Sequence, residues 1–490
     1  MNQHQSDDKP HVPRKAIYKT PTNSSSVVVR REIIEYPAVA LSQMVVVGQD
    51  DSNKKITFNI SGDAMVDGRE SFFSVKLKTN KYTAYLSSDI SSIIKRLVIS
   101  LPHNQNLIIE DINDYATLSS IIHICSADDN QMNSNWYTGL NSLSQFNRSS
   151  GASSARRFLS IHEEGEYRTM CFQLNLSGIM SSENYIPLVL LNGLKIDIYL
   201  ETATNAFHYD AENEKNYETI FSVTDMPFSK PYTSMTSEEK TLVTDQIKAM
   251  TNRSDPDNNS PLIYTVHSPI FHAQTIYMSS NYIDSLIKVA SESQNGVTMH
   301  FNTYRNNLIT PQSQYCSFAF NDSVQNLKNI YMVTQSRDSS LTSHFNYFSR
   351  ALKNFTFRVG SRIYNKVDNQ SPSLAIVSSL ISLGTFGRYY THNLNSKDYF
   401  TSKNVHVFNF ENTRDSNSVQ SGINTTNGRN LRVELEFNDT PSTSSVISPT
   451  DNSVLANFDK VSSYSQVHLT SFIEFSKMIR INNSGILSTE

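Results

Sequence analysis

A histidine crowded by three glutamates, HEEGE at residues 162–166, is the string in this sequence nearest to a catalytic metal motif. The zinc-protease pattern HExxH works because two imidazoles four residues apart share one face of a helix, with the glutamate beside them as base. Here the second histidine is missing, and the string reads as a solvated acidic loop. SDPDNNS sets Asp255, Asp257 and Asn259 at alternate positions, as the first half of a calcium loop does. The glycine on which such a loop turns is replaced by Ser260, and the closing glutamate by Val266, so a polar linker is the better reading. His267 and His272 flank a proline in VHSPIFH and read as structural histidines; His123 stands near Cys125 with no further ligand close in sequence. Cys125, Cys171 and Cys316 are odd in number, widely spaced and lack a CxxC pair, which argues against a disulfide framework or zinc site and for a reducing compartment. The GxSxG, GxGxxG and P-loop patterns do not occur. The expectation is no catalytic residue, no metal and no cofactor.

Composition narrows the class further. Of 490 residues 38% are hydrophobic and only 18% charged, so Asn, Ser and Thr must cover much of the surface. These side chains compete with the backbone for hydrogen bonds and favour turns and strands over helices. A net charge of −4 supplies no global basic field for nucleic acid, and sequence-specific binding to it is not expected. The 24 Tyr and 25 Phe, with Trp136 the single Trp, lack basic interleaving and read as core and interface packing. The opening residues MNQHQSDDKPHVPRKAIYKT contain no apolar signal region and form a weakly basic arm with Arg14, Lys15 and Lys19. Sequons at Asn175, Asn354 and Asn424 read as chance in so Asn- and Ser-rich a chain.

The elements that would hold such a chain together are strands. ITFNIS at 56–61, FSVKLKT at 73–79, VTMHF at 297–301, NVHVFNFEN at 404–412 and NLRVELEFND at 430–439 follow an apolar-polar alternation, the mark of strands with one buried face, and RLVISLP at 96–102 continues the strand theme. NFTFRVGSRIYN at 354–365 and VHLTSFIEFSKMIRIN at 467–482 read as strand too. In NYIPLVLLNGLKIDIYLET at 184–202, Leu194, Ile196, Ile198 and Leu200 alternate with Lys195, Asp197, Tyr199 and Glu201. The run Ile186–Leu191 before it is either a buried strand or a short buried turn, and it is too short and too interrupted to span a bilayer, which takes about 20 apolar residues.

Helical spacing occurs at Ile112, Tyr115, Leu118 and Ile122, with Asn113 or Asp114 as cap; at Leu242, Val243 and Ile247 after a Thr236/Glu239 capping box; and in SPSLAIVSSLISLG, opened by Pro372 and closed by Gly384. Two strand-rich halves follow: an arm at 1–30, a first sandwich at 31–235, a helix and linker at 236–261 and a second sandwich at 262–490. Long, irregular connections between strands fit jelly rolls better than tight meanders, which makes the fold class all-β, two consecutive jelly-roll β-sandwiches with short helices in long loops.

The order of these features resembles the double jelly-roll major capsid proteins of the adenovirus and virophage lineage, especially those of virophages and Polinton-like viruses. The resemblance runs through FFSVKLKT, SSIIKRLVISLPHNQNLIIEDINDYATL and IPLVLLNGLKIDIYLE, then LKNFTFRVGSRIYN, FENTR, SGINTTNGRNLRVELEF and a terminal strand, from about residue 30 to 485. It departs at Asn424, Thr425, Thr426 and Asn427, where members from large DNA viruses tend to carry Asn-Phe-Ser-Arg. The resemblance implies a structural protein of the virion, assembled in the host cell: a homotrimer with a pseudo-hexagonal footprint that meets neighbouring capsomers, penton and minor capsid proteins. Under it the loops 203–235 and 413–429 are expected at the outer tower or between subunits, and the arm at 11–20 is expected to face inward, touching a neighbouring capsomer, an internal membrane or the genome side. Under it the apolar side of 194–200 fills the first sandwich while Lys195, Asp197 and Glu201 face solvent or a neighbour. The alternatives are a two-domain carbohydrate-binding or attachment protein, a minor capsid or vertex protein, and a β-sandwich hydrolase, for which no nucleophile can be named.

Overall fold

The alternating stretches become strands that wrap twice in the same way. In the computed structural model the first set is β1 (Val28–Pro37), β2 (Lys55–Ile60), β3 (Met65–Thr79), β4 (Ile94–Ser100), β5 (Ile108–Asn113), β6 (Arg168–Phe172), β7 (Leu194–Leu200) and β8 (Tyr264–Met278). They form two antiparallel sheets in the orders β1-β8-β3-β6 and β2-β7-β4-β5. The second set is β9 (Val297–Ile309), β10 (Tyr315–Phe320), β11 (Leu327–Ser336), β12 (Leu352–Val359), β13 (Arg362–Asp368), β14 (Val405–Asn409), β15 (Leu431–Phe437) and β16 (Val467–Asn482). Its orders, β9-β16-β11-β14 and β10-β15-β12-β13, are the first two with eight added to every label. A chain that alternates between two sheets and places its last strand beside its first is a jelly roll, here made twice.

The residues described are 27–49, 51, 53–80, 85–86, 89–102, 107–126, 168–208, 261–292, 296–320, 324, 326–337, 347, 352–368, 372–383, 399, 403–410, 422–426, 431–438, 463–482 and 485–489. The arm up to residue 26, Trp136, HEEGE, the Thr236 helix, SDPDNNS, Gly384 and most of the loops 203–235 and 413–429 lie outside them.

One boundary moves. The division at residue 262 assigned Tyr264–Met278 to the second sandwich, but this strand is β8, hydrogen-bonded between β1 and β3 in the first. The polar stretch 251–261 therefore lies in the connection from β7 to β8, and the passage between sandwiches is made by α2 (Ser280–Glu292). That helix, not anticipated from the sequence, buries Tyr282, Leu286 and Ala290 on one stripe. Two of the three helices that were anticipated occupy matching places: α1 (Tyr115–Ser126) follows β5, and α3 (Pro372–Ser382) follows β13. Asp114 precedes α1 and accepts the Thr117 hydroxyl at 2.7 Å, and Pro372 opens α3, where its missing N–H costs nothing.

Each sandwich closes on aromatic rings. Phe73 meets Phe58, Phe172 and Phe271 at centroid distances of 5.2, 5.3 and 4.5 Å, and Phe357 meets Phe408 at 4.2 Å. Leu194, Ile196, Ile198 and Leu200 are buried as their alternation requires. The opposite face of β7 differs from expectation, since Asp197 and Glu201 are buried as well. Asp197 accepts the Thr57 hydroxyl at 2.5 Å and lies 3.1 Å from Lys195 Nζ and 3.5 Å from Lys55 Nζ. A short carboxylate inside the sheet is thus roofed by longer neighbours. Glu201 turns to the Thr202 amide and the Asn205 side chain at 2.9 and 3.1 Å.

Candidate functional site

The histidines and cysteines nominated for scrutiny do not converge. His272 stacks on Phe72 with centroids 4.5 Å apart, its Nε2 lies 2.8 Å from Ser74 Oγ and its Nδ1 3.5 Å from Glu35, whereas His267 is hydrogen-bonded to Ser268 Oγ at 2.7 Å. His123 lies 3.8 Å from Asp89. All three cysteines are free thiols, and burial pushes Cys125 up to about 12, which keeps it protonated. Among the described residues no three His, Cys, Asp or Glu side chains stand close enough to hold a metal.

The densest polar arrangement lies instead where the two sandwiches meet. β5 is the edge of its sheet, β9 is the edge of its own, and the two strands pack together. Glu110 on β5 is buried in this seam and accepts from Ser177 Oγ at 2.5 Å, from the Gly178 amide at 2.8 Å, from the Ile179 amide at 3.5 Å and from Thr303 Oγ1 on β9 at 2.7 Å. Burial raises the carboxyl above the ordinary glutamate range, while these four donors pull the other way. Lys477 on β16 donates across the seam to the Ile109 carbonyl at 2.6 Å, and burial lowers its pKa.

Backbone meets backbone beside this carboxylate. A Cβ on Gly178 would stand 1.7 Å from the Asn302 carbonyl oxygen and 2.7 Å from the Phe301 ring, so glycine is required by the approach of the second sandwich. Asn302 continues the network to the buried Glu474 at 3.3 Å, which also takes Asn329 at 2.8 Å and the Tyr331 hydroxyl at 3.1 Å. Tyr347, from the second sandwich, reaches the Thr117 carbonyl on α1 at 3.4 Å.

The apolar run before Gly193 also serves the seam. It makes the two-residue strand Ile186–Pro187 and a helical turn, Leu188–Leu191, which packs against β16 and the terminal strand Gly485–Thr489. Asn192 at φ 53° and Gly193 at φ 102° end the turn and release the chain into β7. None of Glu110, Gly178, Thr303, Glu474 and Lys477 stood out in sequence; the available signal was a carboxylate set among apolar residues, with Asp111 in IIEDI and alone in TSFIEF. The seam spends Glu110 and Lys477 on bonds from one sandwich to the other. It locks two sandwiches into one block.

Solved structures share this fold. PBCV-1 VP54, fitted into a cryo-EM reconstruction of the virophage Sputnik, is 10% identical with a TM-score of 0.53 over 97% of this chain and 100% of that one. The 3.5 Å cryo-EM structure of the Sputnik virophage gives 10% and 0.52 over 96% and 91%, and the quasi-atomic PBCV-1 virus capsid gives 10% and 0.51 over 97% and 100%. The fold is a double jelly roll. No family model and no curated protein matches the sequence. The likeness thus lies in the path of the chain, and the double jelly roll extends over nearly all of it.

Proposed function

We propose that this chain is a viral major capsid protein, a structural component of the virion without a reaction of its own. Three copies form a capsomer with a pseudo-hexagonal outline, and capsomers tile an icosahedral shell with penton and minor capsid proteins as further partners. The observation that carries this reading is the repetition of one wrapped strand order in two rolls fixed to each other through Glu110, Gly178 and Lys477. A rigid pair of like blocks gives six like blocks in a closed trimer, which is what a hexagonal tile needs. The capsid origin of the double jelly rolls it resembles supports the same reading.

The test is the solution mass of the purified 490-residue chain by light scattering, with negative-stain imaging of the same peak. The expected result is a trimer with a hexagonal outline. A monodisperse monomer would overturn the reading in favour of a two-domain binding module, to be pursued on a glycan array.

A further inference from the structure

The first roll carries on its outer face three side chains that no sequence motif connects. β1, β8 and β3 run side by side, and their register sets Glu35 opposite His272 and His272 opposite Phe72. Ser74 follows Phe72 by two residues and so shares its face of β3. Ser74 Oγ lies 2.8 Å from His272 Nε2, and His272 Nδ1 lies 3.5 Å from Glu35 Oε1. Hydroxyl, imidazole and carboxylate thus stand in the order of a serine nucleophile, its base and the group that orients the base. The serine and the histidine are 198 positions apart in sequence, so only the fold joins them.

The ring is held as well as placed. Phe72 stacks on it with centroids 4.5 Å apart and planes 11° from parallel. A carboxylate at Nδ1 favours the tautomer that carries its proton there, which leaves Nε2 to accept from the Ser74 hydroxyl. The site is open on its outer side, for Ser74 and His272 are half-buried and Glu35 is exposed. A comparable pair in the second sandwich, Tyr399 and His406 at 3.2 Å, is sealed, with both residues 1% exposed. Around Ser74 the face is apolar. Ile270 stands opposite it, Pro37 stands opposite Ile270, and Phe72 lies next along β3, a floor that suits a short acyl chain better than a charged ligand.

We infer that Ser74 is an acyl acceptor, a site at which an activated ester or thioester leaves its acyl group on the chain. Oγ bonds to the carbonyl carbon, the bond from that carbon to the aryloxide or thiolate breaks, and the hydroxyl proton passes to Nε2 and out with the leaving group. The chemistry stops there. β3 lies between β8 and β6 with its amides in their ladders, so they are not available as the pair of donors that an esterase aims at the oxyanion. A serine ester is also a poorer acyl donor than the aryl ester or thioester that made it. The chain is therefore the target of one transfer and not a turnover catalyst, and the capsid reading does not depend on it.

The experiment incubates the full chain with p-nitrophenyl acetate, follows nitrophenolate release and locates the acetyl group by peptide mass spectrometry. One equivalent of nitrophenolate with acetyl on Ser74 is expected, and Ser74→Ala should lose both. His272→Ala should label about a hundredfold more slowly, and free imidazole should restore its rate, which loss of a merely structural histidine would not allow. Glu35 acts through the ring as a positioning residue. Glu35→Ala should slow labelling, whereas Glu35→Gln, which keeps an oxygen to accept from Nδ1, should retain more of the rate, with melting temperatures unchanged in both. Acetyl on lysines or on Cys171, the neighbour of Ser74 on β6, with Ser74 bare would overturn the proposal. So would release that runs past one equivalent in the parent and is lost in Ser74→Ala, because that is the behaviour of a hydrolase.

Discussion

Glu110 gathers donors from two separate segments, residues 177–179 and β9, which makes it the side chain whose ionisation the block should feel most. Burial raises its pKa above the ordinary 4.5, so the folded chain keeps a proton that the unfolded chain releases. The sign follows: this group stabilises most below about 4.5, and its contribution is lost as pH rises through the raised value, by at most about 1.4 kcal/mol per pH unit. Glu110→Gln keeps the shape and removes the titration, so its denaturant midpoint should fall less than that of the parent over the same rise in pH. Equal slopes for the two proteins would remove Glu110 from the account. That such a residue went unnoticed has a physical reason. Alternation reports which face of a strand a side chain occupies, and it is silent on whether a second layer covers that face. The same silence placed Asp197 and Glu201 toward solvent or a neighbouring subunit, where the fold buries both within the chain.

Strands with one wet face were the most legible elements, and β15 is the clearest. Leu431, Val433, Leu435 and Phe437 are buried and Arg432 is exposed, as the period of two demands. Val433→Asp would set an unpaired charge between Phe318 and Phe357, its cross-strand neighbours, at a cost above about 4 kcal/mol. The variant should collect in the insoluble fraction, while Arg432→Gln should melt within about 0.5 kcal/mol of the parent. Soluble, folded Val433→Asp by circular dichroism would contradict the assignment. NFTFRVGSRIYN was legible as strand but not as two: Gly360, at φ +60°, turns it into the β12–β13 hairpin. The membership of β8 was not legible at all, because its partners β1 and β3 lie about two hundred residues away and nothing local records a distant pairing. α2 was passed over although Tyr282, Leu286 and Ala290 recur every four residues, since Ser, Asn and Asp between them dilute the stripe.

The two rolls share a seam built of backbone contact and buried polar groups, so they are expected to melt together. Calorimetry of the parent should show one transition. Gly178→Val, which drives a side chain into the Asn302 carbonyl, should split it into two or lower it by about 1–3 kcal/mol. Two transitions in the parent would mean that the seam is too weak to couple the rolls. The topology has a further consequence, for the way the protein is made. In both rolls the eighth strand, β8 or β16, lies inside its sheet and joins the first strand to the third. A ribosome that has released β1 to β7 has released a sheet with its middle missing, and β1 stays without its ladder until residue 278 is out. More than half of the polypeptide must therefore emerge before the first roll can close. Nascent chains will hold unpaired edges for that whole interval, and crowded synthesis places its heaviest demand on chaperones there.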